Sequence, residues 1–291
     1  MAKTSSLLGR LMWTFVSLSL VVVVLSGAIA WLEFRREIHV SMQNRLESVV
    51  DEKADEISAW LEKKRNQAAI LASDSLIISS TASLVRDPAD RDALGVLTER
   101  INDLTSLTAD LSEVYVAVPE TGRILASTLE SRAGEETGDE PFWETADSKR
   151  LSTTVYRDKA HGGLAISIGK PIISEGQAIG ILRLRIYMEH LARLTSARTG
   201  LPDEGEVFFE DRQEFLASPK GPSDKRAQAL SGKTVSGTYK NYEGVKVFGA
   251  LRYVEPPGLV LFAEIGHAAT LATAGRVTFT VVITGLYFPP F

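Results

Sequence analysis

The sequence predicts an α+β protein in which an N-terminal transmembrane helix runs into a long stalk helix, followed by two consecutive antiparallel-sheet modules. Three observations support this prediction. An uncharged apolar run covers residues 11–32, and an amphipathic helical pattern continues from it without glycine or proline as far as residue 86. Beyond residue 110 the apolar residues fall in short β-branched runs separated by tight turns, which is typical of antiparallel sheets with helices on one side.

The apolar run of residues 11–32 is expected to anchor the chain in a membrane. It contains no charged residue, and about 20 apolar residues cross the hydrocarbon core of a bilayer. A cleaved signal peptide is the alternative, because residues 28–30 (Ala-Ile-Ala) form a small-residue cleavage site. We favour a retained anchor, since the uncharged run continues past that site. The basic residues Lys3 and Arg10 favour a cytoplasmic location for residues 1–10, which puts the rest of the chain outside the cytoplasm.

Residues 33–86 are predicted to form one stalk helix. At about 1.5 Å per residue, some 50 helical residues would extend about 70 Å from the membrane, farther than a compact domain needs. Charged residues fill most of its surface, and a seam of apolar residues at three- and four-residue spacing runs along one side, namely Leu46, Val50, Ile57, Trp60 and Leu71. Either the chain's own modules cover this seam or two copies pair through it. Lys53 and Lys64 at seam positions disfavour a continuous coiled coil, so we expect docking of the chain's own modules, with a homodimer formed through the stalk at another height.

A first module is predicted over residues 87–198. Its strands are β-branched runs, and its turns contain glycine or proline. The predicted elements are, in order, a helix at 91–111, a hairpin with strands at 114–118 and 123–127, a short helix at 141–146, strands at 152–156, 164–168 and 178–186, and a helix at 187–196. A Gly- and Pro-containing break at residues 199–202 marks the end of this module.

A second, smaller module is predicted over residues 199–267. It repeats the five-strand pattern, with strands at 206–209, 214–217, 234–240, 245–253 and 259–265 and a short helix at 223–230. The remaining residues, 268–291, include an uncharged stretch of 12 residues at 277–288, which is too short to span a membrane. We interpret this tail as a second transmembrane helix that is cut off partway, in preference to a peripheral C-terminus.

The composition excludes several classes of function. The net charge of −5 and the lack of a basic cluster argue against a nucleic-acid partner. The absence of cysteine excludes thiolate zinc sites and a cysteine nucleophile. The four histidines do not fall at metal-ligand spacing and are expected to be solvated. The neighbouring acids Asp139 and Glu140 lie in a Gly-containing loop, where acids are usually solvated, so a catalytic pair of carboxylates is not expected there. We therefore predict no enzyme activity within this chain, no cofactor and no metal.

The layout and several motifs resemble the double Cache family, the PAS-like extracytoplasmic sensors of bacterial chemotaxis receptors and histidine kinases. The resemblance covers nearly the whole chain, and its most specific motifs are Tyr115–Ala117 with Gly122–Ser127, Pro141–Trp143, and the pair Tyr242–Ala250 and Gly258–Ile265. It implies that residues 87–198 are a membrane-distal module, that residues 199–267 are a membrane-proximal module, and that both pack on the stalk.

The resemblance also implies a ligand site in the distal module. Amino-acid-binding members carry an arginine before a Pro-aromatic-aromatic step, then Tyr-x-Asp, then a second aspartate. This sequence has Glu140 in place of that arginine and Arg185 in place of the second aspartate. Amino-acid binding in the usual form is therefore not expected, because the ligand carboxylate would meet an acid. The predicted ligand-binding residues are Glu140, Phe142, Trp143, Tyr156, Asp158 and Arg185.

Taken together, these features predict the small-molecule-sensing input domain of a transmembrane signalling receptor in the inner (plasma) membrane, with its modules periplasmic or extracellular. The alternative is a membrane-tethered module that binds another protein and holds no small ligand. An open distal pocket lined by Tyr156, Asp158 and Arg185 would favour the sensor, and a pocket filled by Phe142 and Trp143 would favour the alternative. An exported enzyme is a third, weaker hypothesis.

Overall fold

The computed structural model describes residues 7–106, 110–137, 151–158, 163–188, 191, 201, 205–212, 225–241 and 243–267. The helices are α1 (Leu7–Ala72), α2 (Ser75–Arg86), α3 (Arg91–Ser106) and α4 (Arg226–Leu230). The strands are β1 (Glu113–Ala117), β2 (Ile124–Ser127), β3 (Ser152–Arg157), β4 (Leu164–Ser174), β5 (Gln177–Tyr187), β6 (Gly205–Asp211), β7 (Val235–Lys240), β8 (Lys246–Val254) and β9 (Leu259–Gly266). A 3₁₀ turn covers Glu130–Arg132.

Helix α1 has 66 residues and joins the apolar run to the two sheets. Within the part of the chain that the structure describes, it is the one helix long and apolar enough to cross a membrane, with a mean hydropathy of 2.4 over its most apolar window. The apolar side chains of residues 11–32 are exposed, as lipid-facing side chains would be.

The stalk differs from the prediction of one helix as far as residue 86, because α1 ends at Ala72 and a separate helix begins at Ser75. Asp74 lies between them in an extended conformation and accepts hydrogen bonds from the backbone N–H groups of Leu76 and Ile77. This is the geometry of an N-cap, so a single aspartate ends one helix and starts the next without glycine or proline.

The first sheet is antiparallel, with the strand order β2-β1-β5-β4-β3. It contains the predicted hairpin of β1 and β2. The strand predicted at 164–168 is longer than expected, because β4 continues without a break to Ser174. Pro171 lies inside β4, but β3 pairs with β4 only as far as Gly169. In the described part of the sheet Pro171 is therefore at an edge, where a proline costs no ladder hydrogen bond.

The second sheet is also antiparallel, with the order β6-β9-β8-β7. These four strands agree with four of the five predicted for this module. The fifth predicted strand, at 214–217, lies outside the described residues, as does the predicted helix at 141–146. The predicted helix at 187–196 also lies mostly outside them, and Tyr187 belongs to the end of β5.

Both sheets pack on α1. The helix contacts β4 and β5 of the first sheet and β7, β8 and β9 of the second. The seam residues Leu46, Val50, Ile57 and Leu71 are buried in one continuous core, and Trp60 packs at its margin. The prediction that the chain's own modules cover the seam is confirmed.

The two lysines of the seam are buried beside acids. Lys64, with 2% of its surface exposed, lies 2.6 Å from the carboxylate of Asp110, which also accepts a hydrogen bond of 2.7 Å from Trp60 Nε1. Lys53 pairs with Glu56 one turn away at 2.8 Å. Each charge on the buried side of α1 therefore has a partner, as burial of an ammonium group requires.

Candidate ligand-binding site

The candidate site lies on the outer face of the first sheet, the face turned away from α1. Side chains alternate between the two faces of a strand. On β5 the alternate residues Leu182, Leu184 and Ile186 enter the core against α1, so Arg183 and Arg185 point to the outer face. Both arginines are nevertheless buried, with 1% and 3% of their surface exposed. A buried pair of guanidinium groups on a central strand is a costly arrangement that needs acidic partners.

Glu113 on β1 is the first of these partners. Strand pairing places it directly opposite Arg185, and its Oε2 atom lies 3.4 Å from Arg185 NH1 and 2.7 Å from Arg132 NH1. Its Oε1 atom accepts a hydrogen bond of 2.6 Å from Ser127 Oγ. Glu113 is fully buried, and its one carboxylate links β1 to β2, to β5 and to the 3₁₀ turn. Burial lowers the pKa of Arg132, but the charge of Glu113 and the hydrogen bonds to Glu135 and Glu113 together outweigh this effect and raise that pKa above its ordinary value.

Asp158 is the second acidic partner of Arg185. It follows β3, is 5% exposed, and places Oδ2 3.6 Å from Arg185 NH1. Tyr156, two residues earlier, packs with Ala165 and Tyr187 on the same outer face. The structure therefore brings together three of the six predicted ligand-binding residues: Tyr156, Asp158 and Arg185. The other three, Glu140, Phe142 and Trp143, lie outside the described residues.

Arg183 occupies a groove in the sheet formed by a glycine. Strand pairing puts it opposite Gly169 on β4, and a Cβ atom at Gly169 would lie 3.2 Å from Arg183 NH1 and 2.9 Å from Ser152 Oγ. The guanidinium donates a hydrogen bond of 2.9 Å to Ser167 Oγ. The lack of a side chain at residue 169 thus lets the Arg183 side chain lie close to the neighbouring strand.

Sequence reasoning did not identify Glu113, Arg132, Arg183 and Gly169 as members of this site. One signal was available, since Arg183 and Arg185 alternate with leucine and isoleucine inside an otherwise apolar strand. Two charged residues two positions apart share one face of a strand. The acids that pair with them come from other strands, so their identity could not be read from that pattern.

The outer face of the second sheet is different in character. Phe208 and Phe262 stack there with ring centroids 4.9 Å apart, and the Tyr239 ring fills the space above Gly249, where a Cβ atom would collide with it. Burial and the neighbouring Glu264 raise the pKa of the Tyr239 hydroxyl. In the described residues this face is therefore packed mainly with aromatic rings, whereas the first sheet carries clustered charges.

The described residues contain no group of three or more His, Asp or Glu side chains that could hold a metal ion. A cleft of about 400 Å³ does lie between α1, the end of α4 and β8, lined by Ser58, Ser231, Arg252 and Glu255 among others. Its Arg252 guanidinium is already engaged by Asp51 and Asp55 of α1, at 2.9 and 3.3 Å. This cleft is separate from the charged outer face.

Comparison with known proteins found similar solved structures but no match by sequence. No family model matches the sequence, and no curated protein matches it. The sensor domain of the V. cholerae histidine kinase DctB is similar, with a TM-score of 0.60 and 11% identity over 78% of this chain and 98% of that chain. A domain of a sensory box/GGDEF family protein from Vibrio parahaemolyticus has a TM-score of 0.58 and 13% identity, covering 80% of this chain and 99% of that chain.

A third similar structure is the ligand-binding domain of the Campylobacter jejuni chemoreceptor Tlp3 in complex with L-valine. Its TM-score is 0.53 at 15% identity, with 81% of this chain and 96% of that chain covered. This chain has the Cache-type sensor fold. A Cache-type fold, as the sequence motifs implied, is therefore confirmed, and the chain spans nearly the full length of each of these solved domains.

Proposed function

We propose that the outer face of the first sheet binds a small polar ligand and that the chain is the sensing input domain of a transmembrane signalling receptor. The observation that carries this proposal is the buried network of Glu113, Arg132, Asp158, Arg183 and Arg185 on the face turned away from the core. A network of buried ionic groups is weak support for stability by itself. Convergent charged groups on a sensor fold favour recognition of a ligand instead.

The ligand proposed for this face carries at least one charged group. Arg183 and Arg185 present guanidinium donors, which suit carboxylates, and Asp158 and Glu113 present acceptors, which suit ammonium groups. The network would orient both kinds of group. Tyr156 and Tyr187 would supply the apolar side of the site.

The same proposal covers the placement of the chain in the cell. Residues 11–32 would anchor it in the inner membrane, with the distal module (87–198) and the proximal module (199–267) outside the cytoplasm. We further propose that the chain acts by binding and not by catalysis. Two copies would pair through the exposed part of α1 near the membrane, where Val40 is 49% exposed, since the seam higher up is covered by the sheets.

A thermal-unfolding screen tests the ligand proposal. The full chain in detergent would be screened against carboxylates, amines, amino acids, nucleobases and sugars. A ligand at about 100 times its dissociation constant adds about 2.7 kcal/mol of stability, which corresponds to a rise of several degrees. Arg183→Met should abolish the rise, whereas Arg252→Met, which changes an arginine of the other sheet, should leave it intact.

The alternative function, binding of another protein without a small ligand, predicts a different pattern. Under that hypothesis no compound in the screen raises the unfolding temperature, although the unliganded protein unfolds cooperatively. A rise that persists in Arg183→Met would also contradict the proposed site, because the ligand would then bind elsewhere. The comparison is valid only if unliganded Arg183→Met also unfolds cooperatively, because the variant must be folded to report on binding.

A further inference from the structure

His39 and His267, which lie far apart in sequence, both pack against the ring of Phe248. His39 lies on α1, Phe248 lies on β8, and His267 directly follows β9. The Phe248 ring centroid lies 4.6 Å from that of His39, edge to face, and 4.7 Å from that of His267, nearly parallel. The two imidazole centroids are 5.5 Å apart. The expectation that all four histidines are solvated is wrong for these two, which are half-buried.

The ring cluster lies between α1 and the end of the second sheet. His39 lies seven residues beyond Leu32, where the apolar run ends, which is about 10 Å along a helix. His267 lies immediately after Gly266, the last residue of β9, and Gly266 pairs with Val247 next to Phe248. The cluster therefore joins α1, as it leaves the membrane region, to the end of the final strand of the second sheet.

The charges around the cluster oppose protonation. Lys246 of β8 and Arg35 of α1 lie close enough for their charges to act on His267. Burial, followed by the charges of Lys246, His39 and Arg35, lowers the pKa of His267 below its ordinary value. Among the described residues neither imidazole has a carboxylate within ion-pair distance. A proton on His267 would place an imidazolium group beside Lys246 and Arg35, with no carboxylate of the described residues at ion-pair distance to balance it.

We propose that the His39–Phe248–His267 cluster is a proton-responsive clamp between α1 and the end of β9. It is closed when His267 is neutral and opens when His267 is protonated. The proton would thus be a second input to the chain, and it would act close to the membrane and far from the charged face of the first sheet. This inference does not depend on the proposed small ligand.

The direction of the pH effect follows from linkage. Because the folded-state pKa of His267 lies below the unfolded value of about 6.5, the unfolded state binds more protons in that range. The contribution of the clamp is complete above about pH 7, and it decreases as the pH falls from there through the folded-state pKa.

Histidine titration in the full chain tests the clamp. The chain has four histidines, so selectively labelled imidazole signals in lipid nanodiscs can be assigned by single substitutions. We expect His267 to titrate below pH 6.5 and its pKa to rise in His39→Gln, which removes the neighbouring imidazole. His161→Gln and His190→Gln serve as controls and should leave the titration of His267 unchanged.

Hydrogen exchange in β9 provides the second measurement. After correction for intrinsic rates, exchange at the end of β9 should be about tenfold faster at pH 5 than at pH 7.5 if the clamp opens. The double variant His39→Phe, His267→Phe keeps the rings without the titrating groups and should remove this pH dependence. A pKa of His267 that does not respond to His39→Gln would overturn the proposal. So would an exchange rate with the same pH dependence in the double Phe variant.

Discussion

Glu113 shows how much a single residue decides in this site. Its carboxylate is fully buried, lies opposite Arg185 across the β1–β5 ladder and receives Arg132 from the 3₁₀ turn. The buried charge of Glu113 balances Arg132 and Arg185, and Asp158 is the second acidic partner of Arg185. Residues of this kind set both the stability of the face and the orientation of any ligand that binds it.

Replacing Glu113 with glutamine should destabilise the protein strongly. The variant keeps the size of the side chain and an acceptor for Ser127, but it leaves Arg132 and Arg185 without that buried negative charge, and such a loss costs about 3–5 kcal/mol. Chemical denaturation followed by tryptophan fluorescence measures the effect. Glu135→Gln, which removes the half-exposed second partner of Arg132, should cost less than about 1 kcal/mol. Equal losses in the two variants would show that burial of Glu113 has no special role.

Gly169→Ala should disturb Arg183 without changing any charge. The new methyl group would lie within 3.2 Å of the guanidinium and closer still to Ser152, so one of these side chains must move. We expect a loss of about 1–3 kcal/mol, as for other overpacked sites, and weaker binding of any ligand that contacts Arg183. Gly95→Ala on α3 is the matched control, because nothing lies within 4 Å of the added methyl group and alanine favours a helix by about 1 kcal/mol. A neutral or stabilising Gly169→Ala would exclude close packing at this position.

At the scale of elements, the junction of α1 and α2 is set by Asp74. One carboxylate oxygen caps α2, and the other receives Arg100 of α3 at 2.8 and 3.0 Å. The hydrogen bond from Arg100 lowers the pKa of Asp74, burial opposes this, and the cap hydrogen bonds lower it further. A single side chain thus orients α2 and α3 at the end of α1 remote from the apolar run.

The Asp74 junction should lose stability in acid. Because the folded-state pKa of Asp74 lies below the unfolded value, its contribution is present at neutral pH and is lost as the pH falls below about 4. Asp74→Ala should cost about 1 kcal/mol through loss of the cap, whereas Asp74→Asn keeps a capping oxygen and should lose only the charge interaction with Arg100. Unfolding at pH 7 and at about pH 3, below the unfolded value, compares the three proteins. A wild type whose advantage over Asp74→Asn is the same at both pH values would contradict this account.

At the scale of the whole molecule, α1 connects the two sheets. Its N-terminal part is the apolar run, and its C-terminal part packs against the buried faces of both sheets. Arg252 of β8 is fixed to Asp51 of α1, and Ser236 of β7 donates a hydrogen bond to Glu47, so the second sheet is joined to α1 by polar contacts as well as by the core. A displacement of either sheet relative to α1 would therefore be passed toward the membrane.

The orientation of the chain can be tested by cysteine labelling, since the natural sequence contains no cysteine. Val245→Cys, at an exposed turn of the second sheet, should react with a membrane-impermeant maleimide in intact cells. Ser5→Cys, before the apolar run, should react only after lysis. The reverse pattern would mean that the modules face the cytoplasm.

The sequence alone determined the elements that depend on local pattern. Residues 11–32 read as a spanning segment because an uncharged run can be recognised without knowing its neighbours, and β1, β2 and β5 follow from β-branched runs and turn residues. The buried seam of α1 follows from three- and four-residue spacing. The end of α1 at Ala72 was missed, because an aspartate is a weaker signal for a helix break than glycine or proline.

Tertiary structure decided which charged groups meet. Arg185 and Asp158 were predicted as site residues, and Arg183 shares a strand face with Arg185, but Glu113 and Arg132 join them only through strand pairing and a turn that lie far apart in sequence. His39 and His267 came together for the same reason, although each was expected to be solvated. Local pattern reports which face of an element a residue occupies. Partners across elements depend on sheet order and register, which are set by the packing of the whole core on α1.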